Sequence, residues 1–117
     1  MIDDEKKRLS FVRDLLEMTM PLEEIIWGLS ALTWDYEGEG VEMTKKHLER
    51  VLQRYLRGEV GESDIELWAN QVEGRDDVRL EDNAESLMGE ILHELANPLL
   101  TQPLDRIRAA QLVRSLA

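Results

Sequence analysis

The sequence predicts an all-α fold, a single bundle of about six helices spanning residues 1–117. Three observations carry this. Apolar residues recur at the 3.6-residue helical period in six separate segments. Prolines, glycines and capping residues fall between those segments. The chain has 117 residues, 43% of them hydrophobic, which is enough for one core and too apolar for a disordered chain.

The first helix is expected over residues 3–18. Asp3, Asp4 and Glu5 suit its positive N-terminal end, and Leu9, Val12, Leu15 and Leu16 form its stripe. Pro21 opens the second, because proline is tolerated at a first helical position; Leu22, Ile25, Ile26, Leu29 and Leu32 follow. Trp27 lies off that stripe. In the third helix Thr44 is the N-cap, Leu48, Val51, Leu52, Tyr55 and Leu56 line one side, and Gly58 is the stop. Ser63-Asp64-Ile65-Glu66 reads as a capping box for a fourth helix with Ile65, Trp68, Ala69 and Val72 inward. Asn83 is expected to cap a fifth carrying Ala84, Leu87, Met88, Ile91, Leu92 and Leu95, ended by Asn97-Pro98. Pro103 is expected to open a sixth with Ile107, Leu112, Val113 and Leu116 inward. The longest gap alternates Leu32, Trp34 and Tyr36, then runs through glycines to Val41 and Met43, a pattern that suits a small β-hairpin over 32–43.

Charge narrows function. The chain carries 25 acidic and 14 basic side chains, net −11. That argues against direct nucleic-acid binding and against an anionic membrane surface. No cysteine is present, so thiol chemistry and disulfides are excluded. No apolar run reaches the roughly 18 residues of a spanning helix, and the opening Met1-Ile2-Asp3-Asp4-Glu5 is unlike a signal peptide. A cytoplasmic protein is expected. The charge is also clustered. Residues 17–42 hold seven acids and no base, residues 43–58 are net +4, and residues 59–94 hold twelve acids against Arg75 and Arg79.

The sequence offers little catalytic chemistry. Residues 35–40 imitate the start of a calcium loop, but the twelfth position is Lys46, where a bidentate glutamate is needed. Glu90 and His93 have the Glu-x-x-His spacing of di-metal bundles, yet no second such pair exists: the residue three before His47 is Thr44. His93 is expected at an exposed helix edge. No phosphate-binding glycine loop or nucleophile elbow occurs. The expectation is a non-enzymatic protein with no cofactor and no metal. Lys46, Arg50, Arg54 and Arg57 share one face of the third helix, followed by Gly58-Glu59-Val60-Gly61 and another helix. This outlines a helix-turn-helix, but the would-be reading helix carries Asp64, Glu66 and Glu73, which repel phosphate. The basic face is expected to pair with neighbouring acids.

Two segments, Leu48-Glu49-Arg50-Val51-Leu52-Gln53-Arg54-Tyr55-Leu56-Arg57-Gly58-Glu59 and Asp64-Ile65-Glu66-Leu67-Trp68-Ala69-Asn70-Gln71-Val72-Glu73-Gly74-Arg75-Asp76-Asp77-Val78-Arg79-Leu80-Glu81, carry a family resemblance, joined by Glu94-Leu95-Ala96-Asn97-Pro98-Leu99. Over residues 44–100 the chain resembles small acidic bacterial immunity proteins of contact-dependent growth inhibition and other polymorphic toxin systems. The resemblance is one of helix and turn residues. It implies a helical protein that binds and neutralises a cognate toxin domain, frequently a basic nuclease. Contact residues do not carry over, so they are chosen by charge and aromatic placement. Trp34 and Tyr36 are the expected anchors, with Asp35, Glu37, Glu39 and Glu42 supplying the local field and Asp76, Asp77, Glu81 and Asp82 a second patch. The alternative is a regulatory adaptor or antitoxin that uses helix 45–57 to engage nucleic acid or an acidic partner. A homodimer through exposed Trp and Met side chains is also open.

Overall fold

A computed structural model describes residues 2–32 and 36–117, with side chains from Glu5 onward. Among these the chain forms six helices and two short strands: α1 (Ile2–Glu17), α2 (Leu22–Leu29), β1 (Val41–Met43), α3 (Lys45–Leu56), α4 (Glu62–Val72), β2 (Val78–Leu80), α5 (Glu85–Ala96) and α6 (Arg106–Leu116). The architecture is a helical bundle with a small β element.

The predicted stripes build the core. Val12, Leu15 and Leu16 of α1 meet Ile25 and Leu29 of α2, and Leu48, Val51 and Leu52 of α3 are sealed in. Helix α3 packs on α6, α4 on α5, and α1 on α2. Trp68 of α4 is wholly buried, and its indole N–H donates to the Leu15 carbonyl at 2.7 Å. That bond satisfies the one polar group such a large core ring carries. Ile107 departs from the expected pattern. It is 74% exposed, and Ala109, Leu112 and Leu116 fill the inner face of α6.

Helix ends differ from the sequence reading where capping groups lie elsewhere. Helix α4 starts at Glu62, before the Ser63 box, with Gly61 at the cap. The Asp64 carboxylate accepts from the Gly61 N–H at 2.9 Å. Asn83 does not cap α5. It takes a left-handed φ of 67°, which asparagine tolerates, and Ala84 precedes the helix. Helix α6 starts three residues after Pro103, where the Asp105 carboxylate accepts from the Arg108 N–H at 2.7 Å. At the start of α3, His47 Nδ1 accepts from the Thr44 N–H at 2.9 Å. Burial lowers the His47 pKa below its ordinary value, which favours the neutral ring that can accept this bond.

The strand expected near Val41–Met43 forms, and among the described residues its partner is β2 and not a hairpin strand from 32–43. It pairs in parallel with β2, in the register Val41–Val78, Glu42–Arg79 and Met43–Leu80. Helices α3 and α4 supply the crossover that a parallel pair requires. Met43 is fully buried, so the pair is fastened to the core through its end.

Candidate functional site

The strand pair brings the two acidic segments of the sequence side by side. Residues 37–42 lead into β1 and residues 76–82 contain β2. The Val41 N–H donates to the Asp77 carbonyl at 2.9 Å, and the Glu81 N–H donates to the Met43 carbonyl at 2.9 Å. Gly40 makes the close approach possible. Its φ is +69°, and a Cβ there would lie 2.4 Å from the Asp77 carbonyl oxygen. What were read as two patches therefore meet along one small sheet.

Not every acid on it is available. Asp77, expected as a surface contact, is 0% exposed. Arg75 Nε donates to its Oδ1 at 2.8 Å, and Arg75 Nη2 and Arg8 Nη1 donate to its Oδ2 at 3.2 and 2.9 Å. Burial opposes the charge, but the bonds from Arg75 and Arg8 outweigh it and hold the Asp77 carboxyl below its usual pKa. This residue ties β2 to α1. Glu81 is half-buried, and its Oε1 accepts from the Lys45 N–H at 3.0 Å, serving a free N–H at the start of α3. Its role is a cap supplied from across the sheet.

Tyr36 is held to α1 as well. Its hydroxyl donates to Glu5 Oε1 at 2.9 Å, and the Arg8 guanidinium sits 5.2 Å from its ring centroid. The hydrogen bond to Glu5 is the main cause of its raised pKa. Tyr36, expected as an anchor, thus also fastens the acidic segment to the bundle. The other expected anchor, Trp34, and Asp35 lie outside the described residues.

Glu37, Glu39, Glu42, Asp76 and Asp82 remain, all exposed. Glu42 makes a loose ion pair with Arg79 at 3.5 Å, with both side chains about half exposed. Among the described residues, Glu37, Glu39, Asp76 and Asp82 have no ion-pair partner. The arrangement gives uncompensated carboxylates on a scaffold fixed by backbone pairing and a buried ion pair. It can attract and orient a cationic surface, with the charges displayed on a rigid support. Sequence reasoning missed Arg8 and Arg75. Arg75 stands two residues before Asp77, but nothing local signals Arg8, which reaches it from the first helix.

The basic face of α3 is partly spent inside the molecule. Arg54 Nη1 donates to the Met18 carbonyl at 3.1 Å, and Arg54 and Arg57 both converge on Glu59. The hydrogen bond from Arg57 is the leading cause that lowers the Glu59 pKa. His93 is exposed at the edge of α5, with Nδ1 3.4 Å from Glu73 Oε2. Among the described residues, no group of three His, Asp or Glu side chains could hold a metal ion, and no helix is long and apolar enough to cross a membrane. No family model, no curated protein and no solved structure matches the chain.

Proposed function

We propose that this chain is a cytoplasmic immunity protein that binds a cognate toxin domain stoichiometrically and blocks it. The toxin would be a basic protein, a nuclease in the simplest case. One observation carries the reading: Glu37, Glu39, Asp76 and Asp82 stand exposed on the segments that flank one strand pair fastened to the core, and among the described residues they have no ion-pair partner. A nuclease presents a cationic cleft to phosphate, and an acidic surface of fixed shape complements it while speeding encounter. The protein acts by occupancy and needs no cofactor. The rival reading, an adaptor or antitoxin working through helix 45–57, is weakened because Arg54 and Arg57 already serve Glu59.

The test is affinity capture from the cells that make this protein. A Glu37→Lys/Glu39→Lys/Asp76→Lys variant is used in parallel as bait. The expected outcome is one basic protein recovered by the wild type and lost by the variant. Expressing that protein alone should arrest growth, and wild type should relieve the arrest. Recovery of nucleic acid or a transcription component in its place would overturn the reading.

A further inference from the structure

The bundle carries a second unused feature, on the side formed by α1, the turn at Met20 and α2. Trp27 is 80% exposed. Together with Phe11 and Met20 it lines an open groove of about 430 Å³, and Glu23 and Glu24 complete the lining. The groove is built closely. Gly28 lets the Phe11 ring lie directly against α2, since a Cβ there would come 2.5 Å from Phe11 Cε1. A glycine inside a short helix costs about 1 kcal/mol relative to alanine, and here that cost accompanies the seating of an aromatic floor.

Both charged residues that line the groove are acidic, while Lys7 and Arg8 stand one turn before Phe11 on α1. Glu23 and Glu24 are exposed and, among the described residues, have no ion-pair partner. Residues 17–42 contain no base at all. An apolar partner segment without cations would desolvate these carboxylates for no return. A segment carrying Lys or Arg beside an apolar side chain fits: the apolar stem lies on Phe11 and Met20, and the cationic head reaches the carboxylates or the Trp27 ring face. We propose that the Phe11–Met20–Trp27 groove is a docking site for a basic, partly apolar segment of a protein partner, with Trp27 as its anchor. This rests on the binding reading above and adds a hot spot to it, because an exposed charged face governs encounter rate more than residence time.

The test uses a library of random displayed peptides, selected on the wild-type protein and then synthesised for binding measurements. Recovered peptides are expected to carry Arg or Lys next to an aliphatic or aromatic residue. Trp27→Ala should weaken them about tenfold or more, and Glu23→Lys/Glu24→Lys should do so equally. Both variants alter exposed side chains, and circular dichroism checks their folding. Recovery of no peptide, of peptides without a basic residue, or of peptides that bind both variants as well as wild type would overturn the proposal. So would a concentration-dependent dimer in sedimentation that Trp27→Ala abolishes, which would assign the groove to a second copy of this chain. The two readings fail separately. Loss of the groove leaves the strand-pair capture result standing. Peptides in the groove alongside capture of nucleic acid would remove the immunity reading and keep the site.

Discussion

Residues 37–42 and 76–82 are joined through the strand pair, and they treat their carboxylates differently. In the first segment Glu37 and Glu39 are exposed and, among the described residues, have no ion-pair partner, and Glu42 has a loose pair with Arg79. In the second, Asp76 and Asp82 are exposed, while Asp77 is buried between two guanidiniums and Glu81 caps a helix. Asp76 and Asp77 are neighbours in sequence with opposite surroundings. An acidic run thus mixes surface charge with structural charge, and the two kinds separate when stability and binding are measured together.

The largest effect is expected at Asp77. Removing one partner of a buried ion pair costs about 3–5 kcal/mol, so Asp77→Ala should lower the urea midpoint by that equivalent. The acid limb carries the same information. The folded pKa of Asp77 lies below its unfolded value of about 3.9. Its contribution is therefore complete above that value and is lost as pH falls through the folded pKa. Asp77→Asn should flatten stability in that acidic window, and an unchanged acid limb would refute the assignment. Next comes Gly40→Ala, which forces a Cβ against the Asp77 carbonyl at a left-handed φ; a cost of order 1–3 kcal/mol is expected by thermal denaturation. Glu81→Ala should cost about 0.5–2 kcal/mol, the range of a lost N-terminal helix cap. A Glu81→Gln variant retains an acceptor and should recover much of that. The smallest stability effect belongs to Glu37→Lys/Glu39→Lys, within about 0.5 kcal/mol of wild type. Any larger loss would show these two carboxylates to be structural as well.

The helices were legible because each one repeats its apolar residues at the period of its own backbone. Leu48, Val51 and Leu52, or Ile65, Trp68 and Val72, announce a buried face without reference to the rest of the chain. Trp27 was legible in the same way, as an aromatic off its stripe. What depended on distant partners was not. The strand at Val41–Met43 could be suspected, but its mate at Val78–Leu80 lies beyond two helices. The cap on α3 comes partly from Glu81, and the burial of Asp77 depends on Arg8 in the first helix. Sequence patterns record local geometry, and the candidate surface is made of long-range contacts.

The parallel pairing of β1 with β2 also sets an order of events. Helices α3 and α4 can form from local contacts within microseconds, whereas their flanking strands meet only after the intervening chain has folded back. Folding φ-values near zero are expected at Val41 and Val78, with higher values at Leu52 and Trp68. The two acidic segments are then brought side by side in the last step. A chain still emerging from the ribosome cannot pair β1 with β2 until synthesis has passed Leu80, so the acidic segments come together only late in synthesis.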